Sequence, residues 1–229
     1  WFEKDFKAAE QIFEFALENR DTTYRSSVLK SNYGFFLFTQ GRASEALPLC
    51  LESYKLDPTY IANIFFLGDV YFMLKDYEKA EFYYREGLVL FPNQTEFIQR
   101  LAWLYITTGQ VNKAKLILEE NSSMFTSRDP RPWVLLAITV SKLGDQHKSK
   151  TIIHEIYKAS DKGIIVFDMN FHLARYYGAT NQKNKMYECL ENSLMENDND
   201  LLWLKVDPLF QDWRDEPLFK DILIRAGFK

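Results

Sequence analysis

The sequence predicts an all-α fold built from repeated helix-turn-helix units. Residues 32–58 recur as residues 66–92, 34 positions later. Small residues and prolines keep that offset: Gly34 and Gly68, Ala46 and Ala80, Pro58 and Pro92. Apolar residues recur at helical spacing on both sides of a short turn, which indicates two amphipathic helices per repeat. The chain also has only 9 Gly and 7 Pro, too few for a sandwich or barrel with many tight turns.

The recurring small residues and prolines have steric roles. Two helices cross closely only where the side chains between them are small, so Gly68 and Ala80 are expected at a close crossing. Proline cannot continue a helix, so Pro58 and Pro92 are expected in the turns between repeats.

The repeat becomes less regular toward both ends of the chain. The turn residue steps from Gly109 to Gly144 to Asn181, so the period drifts from 34 to 35 and then 37. Residues 4–18 match a second helix alone, so the chain is expected to begin inside a repeat of a longer protein. The predicted division is a partial repeat at 1–24, full repeats at about 27–60, 61–94, 95–129, 130–163 and 167–199, and a C-terminal cap at 200–229.

A capping helix is predicted near the C-terminus. Asp215, Glu216 and Pro217 are typical of a helix start, since acids and proline favour the first turn. Gly227 can end this helix. Its predicted apolar face consists of Leu218, Phe219, Ile222, Leu223 and Ala226.

The 34-residue period with this order of small residues and proline resembles the tetratricopeptide repeat family. The resemblance implies a right-handed α-solenoid of about five repeats, with a lone helix before them and a capping helix after them. It also implies a protein-binding scaffold whose first helices line a concave groove. The tail is similar to the ending of many bacterial proteins of this family, in Trp203-Leu204-Lys205-Val206-Asp207-Pro208, Pro217 and Phe219, and departs from it at Trp213-Arg214 and Leu218.

Composition narrows the classes of partner. The formal net charge is −4 without a basic block, so nucleic-acid binding through this region is not expected. No apolar run reaches the roughly 18 residues that a membrane span needs. Cys50 and Cys189 lie in different repeats and are expected to be buried thiols, which favours the cytoplasm.

Catalytic and metal-binding patterns are weak. Only His147, His154 and His172 could supply imidazole, and no set of carboxylates or thiols completes a site around them. Residues 196–200 resemble a calcium loop but lack its central Gly and closing Glu, so a polar inter-helix turn is expected. The prediction is a protein that is not an enzyme and has no cofactor, metal site or catalytic residue.

The resemblance assigns a candidate groove to eight side chains on the first helices: Phe35, Phe38, Phe65, Asp69, Phe72, Gln99, Trp103 and Arg175. The aromatic members would anchor an apolar or aromatic peptide or helix. Asp69, Gln99 and Arg175 would orient its polar groups. Capture of an acidic tail is disfavoured, because aromatic and acidic residues occupy positions where such a clamp carries Asn or Lys. Packing in the core is the alternative for the aromatic rings.

Two functions follow from this reading. The first is a protein-protein interaction scaffold, expected to be a regulatory or sensory part of a longer bacterial protein, that binds a protein or peptide in the groove. The second is a self-association or structural module whose groove is filled by its own chain or by a second copy, which allows a homodimer.

Overall fold

The computed structural model describes residues 5–19, 24–164 and 169–228, with the side chains of 24 and 25 left aside. Helices and turns account for the structure of these ranges, which confirms the all-α class of helix-turn-helix repeats. Parts of the predicted partial repeat and the start of the fifth repeat lie outside the described residues. The chain divides into two compact units, one of residues 1–92 with 226–229 and the other of residues 93–225.

Unit 1 contains one lone helix followed by two helix pairs. Its helices are α1 (Phe6–Glu18), α2 (Tyr24–Thr39), α3 (Ala43–Leu56), α4 (Ile61–Met73) and α5 (Tyr77–Leu90). Helix α1 packs on α2 through stacked rings, since the centroids of Phe13 and Tyr33 are 5.1 Å apart. Phe228 belongs to this unit and packs on Phe6 of α1, with a centroid distance of 5.1 Å.

Unit 2 contains three helix pairs and the C-terminal segment. Its helices are α6 (Thr95–Thr107), α7 (Val111–Glu120), α8 (Arg131–Lys142), α9 (Gln146–Asp161), α10 (Met169–Ala179), α11 (Lys183–Glu196) and α12 (Pro217–Arg225). Two 3-10 helices, Asn199–Trp203 and Pro208–Trp213, connect α11 to α12. We call residues 198–213 the tail segment.

The turns inside the helix pairs share one backbone feature. Each contains one residue with a positive φ: Gly41 at 82°, Lys75 at 63°, Gly109 at 75°, Gly144 at 93° and Asn181 at 57°. Glycine adopts this conformation without a steric cost, and Asn tolerates it. The predicted turn residues Gly109, Gly144 and Asn181 therefore end the first helix of each pair in the same way.

Close helix crossings explain two of the recurring glycines. A Cβ placed on Gly34 would lie 2.4 Å from Cys50 Sγ, and one placed on Gly68 would lie 2.4 Å from Tyr84 Cε1. Ala80 is fully buried at the second of these crossings. The steric interpretation of the small residues is thus confirmed at both sites.

Both cysteines lie in the interior of the protein. Cys50 and Cys189 are free and buried, as predicted. Burial raises the pKa of both thiols to about 12.

In α12, Phe219 and Ile222 are buried, but Leu218 is 45% exposed, so the prediction that it belongs to the apolar face is wrong. Leu218 directly follows the first residue of the helix and turns away from the side that Phe219 buries.

Candidate functional site

The predicted groove residues are divided between the two units. Unit 1 carries five of them, on α2 and α4: Phe35, Phe38, Phe65, Asp69 and Phe72. Unit 2 carries the other three, on α6 and α10: Gln99, Trp103 and Arg175. We call these sets the first-helix faces of unit 1 and unit 2.

The first-helix face of unit 1 is aromatic and only partly accessible. Phe35 and Phe65 are half-buried, whereas Phe38 and Phe72 are 0% and 3% exposed. The Phe35 ring stacks on Phe66, with centroids 4.6 Å apart, and meets Phe38 edge-on at 5.2 Å. Packing therefore accounts for two of the four predicted rings, and Phe35 and Phe65 keep surface that another molecule can contact.

Asp69 lies beneath this face. Its side chain is fully buried, and its Oδ1 accepts a hydrogen bond of 2.7 Å from the Tyr84 hydroxyl. The bond joins α4 to α5 at the crossing where Gly68 faces the same ring. This carboxylate is thus engaged inside the unit.

The first-helix face of unit 2 holds a buried carboxylate from the tail segment. The Trp103 indole N–H donates to Asp207 Oδ1 at 3.2 Å, and Arg175 Nε lies 2.6 Å from Asp207 Oδ2 in an ion pair. Asp207 is fully buried. Because a buried charge is tolerated only when it is paired, α6 and α10 together hold this residue in place.

Aromatic and cation–π contacts surround the ion pair. The Arg175 guanidinium lies 5.6 Å from the centroid of the Trp103 ring and 5.8 Å from that of Phe171. Trp203 of the tail segment meets Trp103 edge-on at 5.7 Å, and Phe210 meets Phe171 at 5.7 Å. The tail segment thus fills this face with both apolar rings and a charge.

Further acidic side chains are bound along α10. Asn170 donates to Glu196 at 2.8 Å, and the backbone N–H of Phe171 donates to Asp198 Oδ2 at 3.3 Å. His172 Nε2 lies 2.7 Å from Asp200 Oδ2. Successive residues of α10 therefore bind successive acids at the end of α11 and in the tail segment.

Asp200 is held ionised by these neighbours. Partial burial alone would raise its pKa, but the hydrogen bond from His172 and the nearby charges of His172, Arg175 and Arg131 lower the pKa below its usual value. Gln99, the remaining predicted residue, is nearly buried and lies 3.5 Å from Thr95 Oγ1 on its own helix.

A family model described as "Tetratricopeptide repeat" matches residues 63–171, which span both units. Residues 63–171 therefore carry tetratricopeptide repeats. The chain's solved structural neighbours agree: a tetratricopeptide repeat protein from Parabacteroides merdae has a TM-score of 0.58 and 18% identity, covering 98% of this chain and 93% of that one. A thermophilic protein of the same kind from Thermus thermophilus has a TM-score of 0.58 and 14% identity, covering 86% and 99%.

Two other similarities involve longer proteins. The Cut9–Hcn1 assembly of the anaphase-promoting complex has a TM-score of 0.63 and 14% identity, covering 98% of this chain and 46% of that one. Among curated proteins, the O-mannosyl-transferase Tmtc3 of Drosophila melanogaster is 26% identical over 128 residues. That match spans 56% of this chain and 14% of the transferase. At these identities the structural likenesses show the fold alone.

The binding of the tail segment was missed at the sequence level. Residues 196–200 were predicted to form a polar turn between helices, and they connect α11 to the first 3-10 helix. The bonds of Asp198 and Asp200 to α10 were not predicted. Asp207 was assigned only to a cap. The available signal was the combination of several acids with Trp203 in one short segment. This signal could be interpreted only after the structure showed that the segment lies against Trp103 and Arg175.

Across the described ranges, no group of three or more His, Cys, Asp or Glu side chains is arranged to hold a metal ion. No helix in the same ranges is both long and apolar enough to cross a bilayer. His147 and His154 are exposed on α9, and His172 is buried against the tail segment.

Proposed function

We propose that this chain is a protein-protein interaction scaffold that binds an apolar or aromatic peptide segment on the first-helix face of unit 1. Tetratricopeptide repeats are a scaffold fold for protein interactions, and their paired helices present such faces side by side. The observation that carries the proposal is the half-buried pair Phe35 and Phe65 on adjacent first helices.

The energetic argument rests on these two rings. Fully burying an aromatic side chain gains roughly 1.5–3 kcal/mol, and a few such anchors usually carry most of an interface. Phe38 and Phe72 would support the anchors from below, and the face suits a helix or an extended segment laid across α2 and α4. Asp69 would then act by fixing Tyr84 rather than by touching the ligand.

A displayed library of random peptides, selected on the wild-type chain, tests the proposal. The selected peptides should be apolar or aromatic, and the Phe35→Ser, Phe65→Ser double variant should bind them about 10–100-fold more weakly. Phe82→Ser is the matched control, because Phe82 is 60% exposed on α5, outside the first helices. Equal binding by a folded double variant would place the peptide elsewhere and contradict the proposal.

The second candidate function is self-association or structural support through a groove filled by this chain itself. The specific observation that favours it is Asp207, held between Trp103 and Arg175 in unit 2. In this view the tail segment is the ligand of the first-helix face of unit 2.

A bacterial origin, attachment to a longer signalling protein, the exclusion of nucleic acid and the absence of catalysis stay predictions. The transferase from Drosophila is much longer than this chain, so its named activity is not carried over.

A further inference from the structure

The tail segment binds unit 2 as a continuous ligand whose contacts come from side chains. Asp198, Asp200 and Asp207 are each bound by α10, and Trp203 and Phe210 pack on Trp103 and Phe171. Beyond it, α12 is tied to α11 by Tyr187 with Glu216 at 2.8 Å and by Arg225 with Glu191 at 2.5 Å. All these contacts join residues after Asn197 to residues before it.

A sharp hinge separates the two sides. Helix α11 ends at Glu196, and Asn197 adopts the left-handed conformation with φ 54° and ψ 41°. Asp198 follows at once and begins the contacts with α10. If Asn197 adopted helical angles instead, α11 would continue and direct every later residue away from its own groove.

We propose that the chain from Asp198 onward exchanges between two copies, so that the tail segment of one copy fills the first-helix face of unit 2 in the other. This inference rests on the second candidate function above and names the element that a second copy would contribute. The occupant is a second copy, because the tail segment of this chain matches this face in both its acidic and its aromatic side chains. A second copy carries the same segment.

The exchange conserves the contacts of Asp207, Trp203 and Phe210 with α6 and α10. It gives up the bonds that close the hinge, from the Asp198 N–H to the Ser193 carbonyl and from Ser193 Oγ to Asp198 Oδ2. Asp207 would again lie between Trp103 and Arg175, but those residues would belong to the other copy. The closed form needs a left-handed non-glycine residue at position 197, and the exchanged form does not, which favours exchange at high protein concentration. The symmetry is closed, because each copy donates one segment and receives one.

Two hinge variants test the role of Asn197. Asn197→Ala disfavours the left-handed conformation and should raise the dimer fraction several-fold after refolding at high concentration. Asn197→Gly adopts it readily and should keep the chain monomeric. Sedimentation velocity measures both, and equal dimer fractions for the two variants would overturn the role of the hinge and with it the proposal.

Two variants that each lack one partner of the Asp207–Arg175 ion pair test the exchanged contact. Arg175→Ala retains an intact tail segment, and Asp207→Ala retains an intact groove. Refolded together, they should form a heterodimer with one complete site, visible as a dimer peak and a melting temperature above that of either variant alone. Recovery on mixing remains measurable even if each variant alone folds poorly.

An ion pair outside the exchanged element provides the control. Arg42→Ala and Glu45→Ala remove two partners that lie 2.7 Å apart at the start of α3, so mixing them should restore nothing. Absence of a dimer and of any stability gain in the Arg175→Ala and Asp207→Ala mixture overturns the proposal. That result leaves peptide binding by Phe35 and Phe65 untouched, so the two failures are distinguishable.

Discussion

Asp207 and Arg175 form a charge pair that is almost completely removed from solvent: Asp207 is fully buried and the Arg175 side chain is 13% exposed. Replacing a buried pair by apolar residues is often neutral, but removing one partner leaves an uncompensated charge. The pair therefore specifies where the tail segment lies, because any arrangement that separates the two charges inside the protein has a higher free energy.

Removing Arg175 alone should strongly destabilise the chain. We expect Arg175→Ala to lower the free energy of unfolding by about 3–5 kcal/mol, and the double variant Arg175→Met, Asp207→Leu to lower it much less. Urea denaturation measures both. The exposed pair of Arg225 and Glu191 is the control, since Arg225→Ala should cost only about 0.2–1 kcal/mol. A single variant as stable as the double would contradict the argument.

Two glycines should resist substitution for different reasons. Gly68→Ala should cost about 1–3 kcal/mol, because its Cβ would overlap the Tyr84 ring. Gly109→Ala should cost about 1–2 kcal/mol through its φ of 75° alone, since no atom lies within 4 Å of the added Cβ. Thermal melts should therefore show that Tyr84→Leu relieves the effect of Gly68→Ala but leaves that of Gly109→Ala unchanged.

Among the elements, the tail segment is held in part by the carboxylate of Asp200 and should respond to acid pH. The pKa of Asp200 is lowered in the folded chain, so its stabilising effect is complete above the unfolded pKa of about 3.9 and is lost as the pH falls through the folded value. About a third of its side chain is exposed, so solvent weakens the effect.

Asp200→Asn should therefore destabilise the chain near neutral pH and lose its effect in acid. Comparing urea midpoints of the variant and the wild type from pH 7 down to pH 3 gives the difference directly. Glu78→Gln is the control, because Glu78 is exposed in the first turn of α5, and it should be nearly silent throughout. A difference that grew toward low pH would have the wrong sign for a lowered pKa.

The helix pairs could be predicted from sequence because their signals are local. Gly34, Gly68 and Ala80 mark close crossings, and Gly109 and Gly144 mark turns, through short-range sterics that recur with the period. The contacts of Asp207 could not be predicted in this way, since Trp103 lies 104 residues before it. Leu218 was assigned to the wrong side of α12 because all five apolar positions were placed on one face.

The candidate groove shows the same division between local and long-range information. The resemblance placed Phe35, Phe65, Trp103 and Arg175 on first helices, where the structure has them. It could not indicate that Trp103 and Arg175 would be covered by the chain's own residues. Arg175 was expected to orient a partner's charged group, and the charge it binds belongs to Asp207.

For the whole molecule, the two units differ in what lies on their first helices. Unit 2 binds its own tail segment through paired charges and edge-on ring contacts. Unit 1 retains the half-buried rings Phe35 and Phe65, which we propose as the contact surface for a peptide. The contrast depends on the tail segment being bound in solution, which makes it the feature to measure first.

Amide hydrogen exchange followed by mass spectrometry tests this most directly. The account predicts slow exchange in residues 199–213 and in α10 of the wild type, and much faster exchange in both after Asp207→Asn. Asp215→Asn is the control, because that side chain is fully exposed, and it should leave both regions protected. Exchange of residues 199–213 in the wild type at the rate of an unstructured peptide would contradict the account.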